Sequence, residues 1–242
     1  MKTFAIFYEA KRAMKTGTKV EKLPKGVERL PDGTYRGKRY DRTIYALDPE
    51  LKIKHRVDGP AIVRPGLESW WLNGQLHRIG GPAYTIPRYK TWYVNGQRHR
   101  IDGPATVGHN IEIWYVNDQM HRIGGEPAYV ALKRKKWYVN GQLHRIDGPA
   151  VIEPDHEEWW VNGKLHRIGG PADVSPFYEK WYVNGQLHRI DGPAFVTPTR
   201  TEWWVEGVQL TEEDYNNLMK KLSTLTDDSD KEATIAAATM FD

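Results

Sequence analysis

The sequence predicts a mainly β fold: tandem 22-residue β-hairpin repeats forming an elongated repeat sheet or solenoid, with a C-terminal capping helix. Three observations predict it. The first is a period. Seven His-Arg pairs begin at His55, His77, His99, His121, His144, His166 and His188, in steps of 22 residues with one step of 23. Seven aromatic pairs keep the same steps, opened by Trp70, Trp92, Trp114, Trp137, Trp159, Trp181 and Trp203. Together those pairs hold all ten tryptophans, and Glu126 is the one inserted residue. The second observation is Asn-Gly between short β-favouring runs, as in Trp137-Tyr138-Val139-Asn140-Gly141-Gln142-Leu143-His144. Asn-Gly is a strong hairpin signal because a type I′ turn needs positive φ at both central residues. The third is that 22 is even. An even step lets each residue type keep its face of a strand from one repeat to the next.

Taken in order, residues 1–50 lie outside the repeat and read as an N-terminal cap or small basic domain. Phe4-Ala5-Ile6-Phe7-Tyr8 suggests the start of a strand or helix. Residues 30–47 suggest a hairpin turning at Pro31-Asp32-Gly33. Arg36, Lys38, Arg39 and Arg42 alternate with Tyr35, Tyr40 and Tyr45, a pattern that can bind single-stranded nucleic acid. A solvated basic face is the preferred reading, and nucleic acid the lesser one.

Residues 51–210 are the repeats. Each offers the Asn-Gly turn and a second turn in Asp-Gly-Pro-Ala or Gly-Gly-Pro-Ala, where Gly permits unusual φ and Pro fixes its own. A single hairpin cannot bury aromatics on both faces, whereas stacked neighbours can. At about 4.8 Å between strands, fourteen strands would extend about 65 Å. Trp and the Val two places on are expected to share one face. The Asp of Asp58, Asp102, Asp147 and Asp191 alternates with Gly80, Gly124 and Gly169. An Asx-type turn is its expected role, with the preceding Arg as the other available partner. Glu68, Lys90, Glu112, Lys135 and Glu157 alternate in sign, which would fix register if neighbouring repeats meet there.

Residues 211–222 read as the capping helix. Thr211 is the N-cap, acids follow it, and Lys220-Lys221 fill the last turn. Tyr215, Leu218, Met219 and Leu222 form one apolar stripe. Residues 223–242 read as a flexible acidic tail.

These residues exclude much chemistry. There is no cysteine, so disulfides, thiolate catalysis and cysteine zinc sites are out. No phosphate loop, nucleophile elbow or His-Glu-x-x-His is present. No apolar run is long enough to span a membrane, and the N-terminus does not read as a signal peptide, so a cytoplasmic or virion location is expected. If each repeat supplies two strands, equivalent His residues stand about 9.6 Å apart and cannot share a metal. His77, His99, His121, His144, His166 and His188 are therefore read as structural positions that bond backbone at a turn. Asp155, His156, Glu157 and Glu158 read as a solvated loop. No catalytic residue, metal or cofactor is expected.

The letters from Trp137 to Ala150 resemble the MORN repeat family in period and hairpin plan. MORN units carry Tyr-x-Gly-x-Trp-x-x-Gly, whereas this chain has Trp-Tyr-Val-Asn-Gly and His-Arg-Ile-Asp-Gly-Pro-Ala. The closer resemblance is to a MORN-like variant found in tandem in bacteriophage and giant-virus proteins, and it covers residues 55–210. It implies a viral origin and a non-catalytic, protein-binding scaffold. A host or viral protein partner is the first expectation. A virion or assembly component, which would self-associate, is the second, and a nucleotide-type ligand sponge the third. The segments between Pro-Ala and Trp open on a further strand start, as in Ala150-Val151-Ile152, and otherwise differ in every repeat and read as variable loops. Arg88, Tyr89, Arg134, Lys135, Phe177 and Tyr178 in them are the expected contact residues.

Overall fold

In the computed structural model, which describes residues 22–239, the Asn-Gly pairs take the backbone their chemistry favours. Asn95 and Gly96 have φ of 49° and 79°, and Asn140 and Gly141 of 49° and 80°. Both central residues are left-handed, as a type I′ turn requires. Each turn closes a hairpin with two residues per arm, such as Tyr138–Val139 against Gln142–Leu143.

Those hairpins do not build the long sheet. The segments after Pro-Ala build it instead: the strand start expected at Val151-Ile152 is present, and the remainder, expected to be variable loops, supplies the partner strand. Thr106–Gly108 pairs with Ile111–Ile113 inside one repeat. Ile111–Ile113 then pairs with Tyr129–Ala131 of the next. The central residues explain why these segments are strands. Val107 stands opposite Glu112, Val130 opposite Lys135, Ile152 opposite Glu157 and Val174 opposite Glu179. A β-branched residue opposite an extended charged one recurs on one face, while the letters on the other face vary. Variation on one face hid a period-two pattern that the other face keeps.

The chain divides into two compact units, Met1–Gln75 and Leu76–Asp242. In the first, five antiparallel strands follow in chain order: Val27–Arg29, Tyr35–Arg39, Arg42–Ala46, Ile62–Arg64 and Leu67–Ser69. The turn at Pro31-Asp32-Gly33 is present, with Gly33 at φ 88° and Asp32 Oδ1 accepting the Thr34 N–H at 2.9 Å. Tyr35, Ile44, Ala46 and Leu51 form its core, with Leu23 and Val27 against them. A Cβ at Gly37 would lie 2.6 Å from Leu51 Cδ1, so any other residue there would force the buried Leu51 to shift. The expected element at residues 4–8 lies outside the described residues.

In the second unit, thirteen ladder strands run in chain order from Tyr84–Ile86 to Val208–Leu210. With the five above they make eighteen. The last two, Thr201–Val205 and Val208–Leu210, pair around Glu206-Gly207. There the Asn-Gly hairpin and the ladder merge.

Helix α1, Glu212–Leu222, covers the end of this unit. Thr211 Oγ1 accepts the Asp214 N–H at 3.1 Å. Tyr215 and Leu218 are buried against Val205, with Met219 and Leu222 packed beside them. The region expected to be a flexible tail contains a second helix, α2, Asp228–Thr239. Ile235 and Ala238 of α2 pack on the α1 cluster, which gives this polar segment a surface to order against.

Candidate functional site

Besides its Asn-Gly turn, each repeat has two turns joined by a ladder strand. The constant turn, His-Arg-Ile-Asp/Gly-Gly-Pro-Ala, enters a ladder hairpin. The free turn at its other end reverses the chain in two residues. Separating what the constant turn does for the fold from what is left over locates the candidate site.

Nearly every residue of the constant turn has a structural task. The backbone N–H of Trp137 donates to Ala150 O at 2.8 Å, and that of His144 to Trp137 O at 3.1 Å. Trp137 therefore sits at the junction of the ladder and the Asn-Gly hairpin, outside either strand. It does not continue a strand with Val139, as the sequence suggested. The Arg145 guanidinium lies 4.0 Å from the Trp137 ring centroid. Arg100, Arg122, Arg167 and Arg189 stack on Trp92, Trp114, Trp159 and Trp181 at 3.8–4.3 Å. In the first unit Arg56 stacks on Tyr45 at 4.1 Å, so a Tyr there does the work of Trp. Such cation–π pairs contribute about 0.5–2 kcal/mol each. On its other side the guanidinium lies against a glycine. A Cβ on Gly103, Gly148, Gly170 or Gly192 would fall 2.9 Å from the Arg Cζ. Arg Nη1 also donates to the Pro carbonyl, as from Arg145 to Pro149 at 3.2 Å. The following Ala61, Ala83, Ala105, Ala128, Ala150, Ala172 and Ala194 have no exposed surface.

The alternating Asp makes an ion pair, rather than the expected Asx turn. Arg Nε lies 2.9 Å from the Asp58, Asp102 and Asp147 carboxylates and 2.7 Å from that of Asp191. This bond holds the Asp102, Asp147 and Asp191 carboxyls below their usual range. Gly80, Gly124 and Gly169 take φ of 76°, 98° and 76° at the same position. The alternation is thus between two turn conformations. The charges that alternate before Trp do not meet. Val107 stands between Lys90 and Glu112 across the ladder, so they are two strands apart.

The histidines tie each repeat to the next. His144 Nδ1 lies 3.1 Å from the Asn162 backbone N and 2.9 Å from its Oδ1. His77, His99 and His166 make the same pair of contacts to Asn95, Asn117 and Asn184. His55, His121 and His188 accept from the backbone N–H of Asn73, Asn140 and Glu206. An Nδ1 that accepts from a backbone N–H, as that of His188 does from Glu206, carries no proton. Burial pushes the His188 pKa down, which favours that form.

Two features have no such task. One is the residue after Arg in the constant turn. In the second unit Ile79, Ile101, Ile123, Ile146, Ile168 and Ile190 are 50–85% exposed. Between them lie shallow clefts floored by Trp and Val. One of about 320 Å³ is lined by Ile101, Trp114, Val116, His121 and Ile123, among others.

The other is the varying face of the ladder with its free turns. Tyr89, Arg134 and Tyr178 are on this face. Tyr89 lies across from Gly108, where a Cβ would be 2.8 Å from its ring. Arg88 and Phe177 are at free turns, Arg88 at φ 66° and Phe177 75% exposed. Lys135 follows Arg134 on one strand and points to the opposite, Val-lined face. Five of the six expected contact residues therefore belong to one edge and one face, Lys135 to the opposite face, and they lie in three separate repeats rather than one patch. The groove beside this face includes Tyr84, Tyr89, Tyr93, Thr106, Arg98 and Tyr115. Arg98 stacks on Tyr115 at 3.8 Å and pairs with Asp118 at 2.6 Å. Burial raises the hydroxyl pKa of Tyr93, Tyr115, Tyr138 and Tyr182, the second aromatics of their pairs.

Further along, the face turns polar. Lys136 meets Glu153 at 3.0 Å, and His156 meets Asp173 at 2.8 Å. His156 and Glu158 belong to a ladder strand, not the solvated loop expected of them. The sequence reading missed Asp173. Its signal was a carboxylate directly after Pro-Ala, where other repeats have Ile, Tyr, Thr, Val or Phe.

No family model, curated protein or solved structure matches this chain. Among the described residues, no helix is long and apolar enough to cross a membrane.

Proposed function

We propose that the protein is a non-enzymatic repeat scaffold that binds another protein through the free turns and varying face of its ladder. One observation carries this reading: a constant frame presents different exposed side chains at equivalent positions. The free turns offer Pro87-Arg88, His109-Asn110, Leu132-Lys133, Pro154-Asp155 and Pro176-Phe177. Arg88 and Asn110 hold positive φ, at 66° and 60°, where the first unit uses Gly66 at 73°, and Leu132 does so at 46° one position earlier in its turn. A non-glycine residue there costs about 1 kcal/mol or more, a cost that side-chain display for binding would explain. Exposed Arg and aromatic residues are the types enriched at binding hot spots. The MORN-like resemblance, with the phage or viral origin it implies, fits this class. The test is affinity capture followed by binding of the purified partner. Arg134→Ser with Phe177→Ser should weaken that complex at least tenfold without lowering the melting temperature. Unchanged affinity would reject the reading.

The Ile row favours a second reading, self-association as an assembly component. Its six side chains repeat about every 9.6 Å. A constant apolar row of this kind matches the same row on a second copy better than it matches an unrelated surface. Sedimentation of Ile101→Ser with Ile123→Ser against the unaltered chain tests it. A monomeric unaltered protein would reject it.

A further inference from the structure

The ladder face carries one constellation that packing does not require. His156, Glu158 and Asp173 come from adjacent strands, 156–158 and 173–175. His156 Nε2 lies 2.8 Å from Asp173 Oδ1 and 3.5 Å from Glu158 Oε1. One ligand-type atom from each residue falls within 4.8 Å of the other two. Asp173 is 7% exposed, in a position that other repeats fill with an aliphatic, aromatic or threonine side chain.

How the carboxylates are held is more telling than their proximity. The Trp160 indole N–H donates to Glu158 Oε2 at 2.7 Å. Lys180 Nζ lies 3.5 Å from Asp173 Oδ2. Each carboxylate therefore has one oxygen engaged by a neighbour, and its other oxygen is turned to His156 Nε2. An ion pair needs only one of these contacts. Fixing one oxygen so that the second is aimed is how outer contacts orient metal ligands. Ligands at about 2.0–2.2 Å from zinc in a tetrahedron stand about 3.4 Å apart. The contacts of 2.8 and 3.5 Å bracket that separation.

We propose that His156 Nε2, Glu158 Oε1 and Asp173 Oδ1 bind one divalent first-row cation of the zinc type. A neutral imidazole and two carboxylates bring two negative charges to a doubly positive ion. The nitrogen ligand selects against magnesium and calcium, which prefer all-oxygen sites. Metal on Nε2 requires that nitrogen bare, so the proton it would donate to Asp173 goes to solvent and the neutral ring keeps its N–H on Nδ1. Three protein ligands leave a fourth position for water or an incoming donor. The metal would also pin two neighbouring repeats together. This site is independent of the protein-binding reading, because it asks only for the cation.

The experiment is equilibrium dialysis of the full chain against zinc chloride, with Co2+ absorption spectra and thermal melting in parallel. His156→Gln and Asp173→Asn keep shape and hydrogen bonding while removing a ligand. His109→Ala controls for an exposed histidine outside the cluster. The expected result is one equivalent per chain, a visible Co2+ band and a metal-dependent rise in melting temperature. His156→Gln and Asp173→Asn should each weaken binding at least tenfold, and His109→Ala should leave it unchanged. Metal-free melting of each variant shows whether it folds, and if either one does not, Glu158→Gln takes its place. No stoichiometric binding, or binding that survives these substitutions, overturns the proposal.

Discussion

The constant turn and the free turn of each repeat reverse the same chain within a few residues of each other, yet they follow opposite rules. The constant turn uses Arg, Gly, Pro and Ala for packing that admits almost no substitution. Arg145 is held between Trp137 and Gly148, and Ala150 has no exposed surface. The free turn has only to reverse the chain, and its second side chain changes from Arg88 to Asn110 to Lys133 to Asp155 to Phe177. Repetition therefore marks structural necessity here, and its absence marks a position open to selection for something else. Ile of the constant turn is the exception, repeated without being buried.

Perturbing the two turns separately should break or sharpen this contrast. The largest effect is expected at the alanine. Ala150→Leu forces a larger side chain into a site with no space, and should cost about 3 kcal/mol in denaturant unfolding. Arg145→Ala removes the stack on Trp137 and the bond to Pro149, and should cost about 2 kcal/mol. Gly148→Ala should destabilise alone but much less beside Arg145→Ala, because its Cβ collides only with that guanidinium. A double-mutant cycle that finds the two additive would contradict the sandwich.

Acidification should come next. The folded His188 has its pKa lowered by burial, so the folded state binds its proton less readily than the unfolded state. Its stabilising contribution is complete above the ordinary value of about 6.5 and is lost as pH drops from 6.5 through the folded value. Hydrogen exchange at the Glu206 amide, bonded to His188 Nδ1 at 3.1 Å, should accelerate over that range. Exchange at that amide that does not change with pH, after correction for the intrinsic rate, would remove the histidine tie. The smallest effects belong to the free turn. Phe177→Ser should shift stability by less than about 0.5 kcal/mol. Arg88→Gly should leave it unchanged or raise it slightly, since glycine accepts φ 66° without strain.

Much of this was legible in the sequence. The period, the type I′ turns at Asn-Gly and the Thr211-capped helix followed from local chemistry, because each depends on residues within one turn of one another. The ladder was misplaced for a physical reason. Most of its strands are three residues long, and only Val107, Val130 and their equivalents repeat, so the letters resembled loops. The role of Arg was half visible: pairing with Asp lies two residues away, but stacking on Trp depends on a long-range fold. The His156, Glu158 and Asp173 cluster was hidden because cross-strand register, and not sequence distance, brings residues 156 and 173 together. Helix α2 was missed because its order comes from packing on α1, not from its own composition.

The central claim is that recognition resides in the letters that do not repeat. Its most direct measurement is calorimetric affinity for the captured partner with two chains that melt alike. One carries Arg134→Ser and Phe177→Ser, and the other Ile101→Ser and Ile123→Ser. The account predicts at least tenfold weaker binding for the first and unchanged binding for the second. The reverse pattern would contradict it and place recognition on the constant turn.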